Sequence, residues 1–379
     1  MKKILILLAF SIPAFAQLTI PGADGSAGVM HFTVNTEIDL SQAVAGTWNA
    51  PGTTNGVYDG TQWAVVFKPS SLTIDPGVTV TFKNHPSRAP VVFLVSGDVT
   101  IAGTMDLNGR YSGVLTPAEP GPGGFRGAFG ASGSLPRGNG MGPGATLGGD
   151  GSANHADTTR PFLYGSKTLI PLVGGSGGGE VFSRRSSGGG AVLIVAQNIT
   201  IDGTISANST AGGATGSGGA IRLVSDRLYG SGFLSAVSLG GEGRLRIQAN
   251  SYIASLRATP DVIAELPGNP VKLWPDASLD ASTRILSVGG GSLPSDPRAR
   301  MDLPGADSQV ATTNSVNVVI ETRNLPTNSS VFLRVVPRHS LSFEVPATYT
   351  SGTQAIATWN VAAILPKGYN VLIVRAKSP

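Results

Sequence analysis

The stretch AVLIVAQNITIDGTISANS, Ala191 to Ser209, decides the fold. One hundred positions earlier, from Val91 to Gly109, the chain reads VVFLVSGDVTIAGTMDLNG. A further copy, AIRLVSDRLYGSGFLSA, starts at Ala220, and a partial one, RLRIQANSYI, at Arg244. Aligned without gaps, Val92, Val192, Ile221 and Leu245 form one column, and Leu94, Ile194, Leu223 and Ile247 another, two places on. Between them stand Phe93, Leu193, Arg222 and Arg246. Apolar residues at i and i+2 describe a strand with one buried face. Val99, Ile199 and Leu228 form a third column, and Met105, Ile205 and Leu234 a fourth. Each copy therefore reads as three short strands with corners. Gly103, Gly203 and Gly232 precede the last strand, where glycine suits a sharp bend or a positive φ.

Equivalent strands that recur in one direction stack most simply in parallel, with copies about 4.8 Å apart. One copy cannot bury its apolar face alone. The pattern predicts an all-β protein with a right-handed parallel β-helix, a solenoid, over 63–258. A β-sandwich with accidental internal similarity is the alternative. LTIDPGVTVTF (72–82) fits an earlier turn of the same kind, around Asp75-Pro76-Gly77. Residues 17–62 are expected to cap the open end. A Gly-rich interruption, 110–190, includes PGPGGFRGAFGASG and is too poor in apolar residues to form a core of its own. It is expected to loop from one corner. Ala211 to Gly219 leaves at the equivalent corner, and insertions sharing an edge often mark a binding face. Pro260, Pro267, Pro270 and Pro275 mark a linker or cap over 259–280. From 281 onward TRILSV, VNVVIET, VFLRVVP, AIATWNV and YNVLIVRA alternate at short spacing. They predict a small antiparallel β-sandwich, Ig-like or fibronectin-like.

The first residues describe an address rather than a fold. Lys2 and Lys3 precede an apolar run, Ile4 to Phe10, and Ala14-Phe15-Ala16 is a small-x-small cleavage site. That is a secretory signal peptide, cleaved after Ala16. Gln17 stands where a lipoprotein would need cysteine, and the chain has no cysteine at all. No later stretch reaches the ~20 apolar residues of a membrane span. The expected location is extracellular or on the cell surface, with the periplasm as an alternative. Among 379 residues, 27 Lys and Arg face 23 Asp and Glu. That near balance argues against nucleic acid as a partner. Charged residues are 13%, about half the usual share, and glycine, at 52, is about twice its usual frequency.

Catalysis on such a scaffold needs acids on matched columns of neighbouring copies. A glycosidase needs two facing carboxylates, and a lyase of the calcium type needs clustered Asp and a basic proton acceptor. Asp98 aligns with Asn198 and Arg227, Asp106 with Ser206 and Ser235, and Asp202 with Ala102 and Ser231. No column collects two acids, and no catalytic residue or cofactor is assigned. Asp150, His155 and Asp157 form the one candidate metal cluster, in the Gly-rich interruption. Arg222, Arg244 and Arg246 are expected to face outward as a basic ladder able to meet anionic polysaccharide. Arg184 and Arg185 are further candidates for an acidic glycan. For each of these groups the plainer alternative is a solvated surface residue.

YGSKTLIPLVGGSGGG (164–179), GGGAVLIVAQNITIDGTISANS (188–209), GSGGAIRLVSDRLYGSGFLSA (216–236) and GGEGRLRIQA (240–249) resemble glycine-rich, exported bacterial β-helix proteins of the acidobacterial and myxobacterial kind. The tail from 281 is similar to the Ig-like ends of such proteins. The resemblance implies architecture and suggests no catalytic residues to transfer. Here Arg184-Arg185-Ser186-Ser187 stands where longer glycine runs are usual. The function expected from these features is structural or adhesive, non-catalytic, with an extracellular glycan or cell-surface component as partner. The alternative is a lyase or glycoside hydrolase on the same scaffold.

Overall fold

The computed structural model describes residues 17–110, 117–128, 138–144, 164–179, 186–210, 216–293, 306–311, 315–338, 340 and 342–379. The proposed signal peptide lies outside them. The described protein is all-β, with a single 3₁₀ turn at Leu40–Gln42. None of its helices is long and apolar enough to cross a membrane.

The repeats pair with one another in parallel. Strand Ala191–Ile201 lies between Val91–Leu94 and Asp98–Ile101 on one side and Ala220–Tyr229 on the other. Arg244–Tyr252 follows, then Val262–Glu265. These strands belong to an 11-stranded sheet. The short last strands form a second, 6-stranded sheet in the order Arg257–Thr259, Phe233–Ser235, Thr204–Ser206, Thr104–Asp106, Thr79–Lys83, Thr36–Asp39. Both sheets line one core. Val91, Val192, Ile221 and Leu245 reach it, as do Phe93, Ile194, Leu223 and Ile247, and from the second sheet Val80, Met105, Ile205 and Leu234.

The ungapped alignment is one residue out in the first strand. Leu193 pairs with Val92, and Val192 with Val91. Val92 and Leu94 therefore point to the opposite face from Val192 and Ile194. Further on, Asn198 pairs with Asp98 and Ile199 with Val99, as aligned. The earlier copy spends one more residue between its paired positions Leu94 and Asp98 than the later copy does between Val195 and Asn198. That residue ends one strand at Leu94 and starts another at Asp98, where the later copy runs unbroken.

The second face of the large sheet is also covered. Val66, Val92, Leu94, Leu193, Val195 and Val224 pack beneath Leu18, Leu169, Leu172, Val271 and Leu273. Both faces being apolar explains the uninterrupted AVLIVA. The 17–62 segment contributes Leu18, Ile20, Ala23 and Trp48 to this outer layer, as well as strands at the sheet edge.

At Gly103, Gly203 and Gly232 no positive φ is found. Close stacking is the reason for glycine there. A Cβ on Gly203 would strike the carbonyl oxygen of Gly103, and one on Gly232 that of Gly203.

The C-terminal residues form two antiparallel sheets. One has the order Gly291–Ser292, Ser282–Val288, Ser315–Arg323, Ile356–Ile364, Thr348–Gly352. The other runs Phe343–Pro346, Ser330–Pro337, Asn370–Lys377. Val318, Ile320, Leu333, Val335, Trp359 and Val361 share one core. Trp359 buries its ring there and donates its Nε1 hydrogen to Thr322 Oγ1 at 2.9 Å.

Candidate functional site

The glycine-rich segments are neither strands nor loose loops. Their backbones lie against one another and exchange hydrogen bonds: Gly174 to Gly123 (2.8 Å), Gly175 to Gly189 (2.8 Å), Gly189 to Ser217 (3.0 Å) and Gly188 to Phe125 (3.0 Å). Most of these glycines are buried although little apolar side chain surrounds them. The expectation of a stretch unable to make a core therefore holds only for side chains. Backbone amides without Cβ atoms approach closely enough to satisfy one another. A Cβ on Gly188 would overlap Gly175 O, and one on Gly177 would overlap Arg126 O.

At one end of this layer residues from separate parts of the chain are tied together. Arg110 N donates to Glu119 O (2.8 Å), Ala128 N to Gly178 O (3.0 Å) and Gly178 N to Ser186 O (2.7 Å). Ser186 Oγ donates to Thr210 O (2.9 Å) and accepts from Gly216 N (3.1 Å). Ser187 Oγ lies 3.1 Å from Arg110 O and 2.8 Å from Glu119 O. These bonds bring Arg110, Glu119, Ser186, Ser187, Thr210 and Gly216 together at one end of the glycine layer.

Glu119 is the charged centre of that end. Arg88 Nε donates to its Oε1 (2.9 Å), Arg126 Nε to its Oε2 (2.8 Å) and Asn84 Nδ2 to Oε1 (3.0 Å). Burial by itself raises the Glu119 carboxyl, but the Arg88 and Arg126 charges and these hydrogen bonds outweigh it and hold it below the ordinary range. A carboxylate so committed is a poor proton donor. Beside it Arg110, half exposed, spans Glu37 Oε1 and Phe82 O, both at 3.0 Å. Trp63 lies 6.3 Å from Phe125, and Tyr58 stacks on His85 at 4.0 Å. The sequence search passed over Glu119. Its signal was there: a lone acid flanked by Ala118 and Pro120 in a stretch nearly free of charge, which needs a cationic partner if buried.

The arginine ladder is placed differently from the expectation. Arg222 and Arg246 do pair across adjacent strands. They do not meet solvent: Arg222 is 2% and Arg246 4% exposed. Segments 164–173 and 271–274 cover that face, and the arginines tie them down. Arg222 donates to Gln248 Oε1 through Nε (3.0 Å) and to Lys272 O through Nη2 (2.8 Å). Arg246 Nη1 donates to Lys167 O (3.1 Å), and its Nη2 pairs with Glu265 at 2.5 Å. Arg244 Nη1 reaches Ser166 O at 3.4 Å. Burial first, and the Arg246 charge second, pull Arg222 down to about 10. It stays cationic at neutral pH. An anionic polysaccharide has no access to this pair in the covered state. Sequence alternation could not show this, because the cover comes from distant residues.

Arg184, Arg185, Asp150, His155 and Asp157 lie outside the described residues. Among those described, no three His, Asp or Glu gather as metal ligands. A cleft of about 1590 Å³ lies along Thr283–Val288 and Asn370–Val374, with Gly60, Thr61 and Pro143 on its rim. Asp307 is the one carboxylate in its described lining, short of the pair that a glycosidase needs. No family model, curated protein or solved structure matches the chain.

Proposed function

We propose that the protein is a secreted or cell-surface structural and adhesive protein that binds extracellular polysaccharide without catalysis. Its parallel ladders are the turns of a right-handed β-helix, and its C-terminal pair of sheets is an Ig-like or fibronectin-like sandwich. The signal peptide would be removed after Ala16 on export. The observation that carries the reading is the glycine layer itself, in which residues 121–127, 174–178, 186–190 and 216–219 hold one another by backbone hydrogen bonds. A frame tied in this way presents a surface that binds without a large ordering cost. The Glu119 clamp supports a holding role, since its acid is locked by two arginines rather than free to move protons.

The test uses the whole exported chain on an array of neutral and acidic polysaccharides, with reducing-sugar release measured in parallel. Binding without release is expected. The double substitution Arg184→Ala, Arg185→Ala removes the two candidate contacts for an acidic glycan. It should weaken acidic-glycan binding about tenfold, more at low salt than at high. Sugar release by the wild-type chain, or binding that ignores the double substitution, refutes this reading.

A further inference from the structure

The arginines beneath segments 164–173 and 271–274 carry more positive charge than their partners balance. Register sets Arg222 directly opposite Arg246 on neighbouring parallel strands, whose backbones run about 4.8 Å apart. Like charges so placed repel. Arg244, two residues before Arg246 on the same face, adds a third cation and turns its Nη1 to Ser166 O (3.4 Å). Against them stands Glu265, half exposed, whose carboxylate is taken by Arg246. Arg222 meets neutral oxygens, Gln248 Oε1 and Lys272 O. A buried charge calls for an opposite charge or a full set of hydrogen bonds. Neither arginine has the full set. Arg222 Nη1 and Arg246 Nε are buried without a hydrogen-bond partner among the described residues. Trp274, in the cover two residues beyond Lys272, likewise buries its Nε1 without one.

We propose that the Arg222 and Arg246 guanidiniums hold a small monovalent inorganic anion of the halide class between them, beneath the cover. The spare groups on these two side chains are donors, and an anion accepts without having a hydrogen to place. A water molecule must also give its own hydrogens, and the oxygens beside the pair are already engaged. Gln248 Oε1 takes two bonds from Arg222, Lys272 O takes one, and Lys167 O takes one from Arg246. Size selects as well, because the covering segments leave Arg222 and Arg246 almost no exposed surface and keep a polymeric anion out. Charge selects again: Arg222 has no carboxylate of its own among the described residues, and a single negative ion would serve both cations. The ion acts on the cover. Arg222 holds Lys272 O and Arg246 holds Lys167 O, so quenching their mutual repulsion fastens both covering segments to the sheet. The inference does not depend on the adhesive reading.

Thermal melting of the whole exported chain tests it, with sodium gluconate exchanged stepwise for sodium chloride at constant ionic strength. The midpoint should rise by about 2–4 °C as chloride goes from about 1 mM to about 100 mM, and bromide should reproduce the rise. Arg222→Met keeps an unbranched side chain and removes the charge and its donors. It should lose the chloride dependence, with circular dichroism checking that it stays folded. Wild-type crystals grown in bromide give a second measurement that needs no variant. An anomalous difference peak is expected within hydrogen-bond reach of Arg222 Nη1 and Arg246 Nε. A midpoint indifferent to chloride overturns the inference. So does an equal rise in Arg222→Met, or a bromide map with no peak at the arginine pair.

Discussion

Glu119 shows how a single residue anchors a layer built almost without side chains. Three donors converge on its carboxylate, Asn84 and Arg88 from a distant segment and Arg126 from seven residues along its own. Its pKa in the folded chain lies below the ordinary value. Its ionisation therefore stabilises the fold above the usual glutamate range, about pH 4.3, and that contribution is lost as pH falls through the lower folded value. Glu119→Gln should cost about 1 kcal/mol at neutral pH, since the side chain is a third exposed and water screens the pairs. It should also flatten the loss of stability with acid below about pH 4.3, measured by urea unfolding across pH. An unchanged acid limb would assign that loss to other groups. Glycines supply the complementary case. Gly188→Ala places a Cβ on Gly175 O, while a Cβ on Gly268 lies 3.4 Å from Pro270 O. Thermal melts should show Gly188→Ala losing about 1–3 kcal/mol or more and Gly268→Ala staying near wild type. Equal melting points would mean that the glycine layer yields freely.

At the scale of the strand, the decisive fact is that Ala191–Ile201 is covered on both faces. Ile194→Ala should cost about 2–5 kcal/mol from the central core. Leu193 points the other way and, with one wet face, would tolerate alanine almost freely. It is 1% exposed beneath the outer cover, so Leu193→Ala should cost a comparable amount. Chemical denaturation of the two variants side by side measures the difference. A neutral Leu193→Ala would show that segments 164–173 and 271–274 stand away from the sheet in solution. The strand also shows how much was legible beforehand. The i, i+2 columns located the strands of the copies at Ala191 and Ala220, because a period of two is a local property, but they passed over Arg257–Thr259 and Val262–Glu265, the latter inside the expected linker, which also join the ladders. The single extra residue between Leu94 and Asp98 was invisible to an ungapped alignment, yet it reversed the facing of Val92 and Leu94. The same limit applied to Arg222 and Arg246. An arginine between two core residues looks outward by alternation, and only the arrival of Lys167 and Lys272 made that side an interior.

Across the whole molecule, Asn139 ties the described part of the glycine layer to the C-terminal sheets. Asn139 donates through Nδ2 to Pro337 O (2.6 Å) and Ser340 O (2.8 Å), and through its backbone N–H to Arg338 O (3.0 Å). Asn139→Ala removes the side-chain bonds and leaves two carbonyls short of a partner, a cost of about 1–3 kcal/mol. The expected sign is a separate, earlier melting step for the C-terminal sheets in calorimetry, together with faster proteolysis near 275–281. A single unshifted transition would show that the two parts are coupled elsewhere.

The sequence by itself determined the all-β class, the parallel recurrence of the later copies and the alternating C-terminal strands. Each follows from spacing along the chain, which sets the side a residue takes relative to its neighbours. Tertiary structure alone decided which sides became interior. It buried the outer face under residues from both chain ends of the repeat region. It turned the expected arginine ladder into a clasp, and it brought Asn84 and Arg88 to the Glu119–Arg126 stretch. Those outcomes depend on which distant segments meet, and burial and charge pairing are properties of the meeting rather than of either segment.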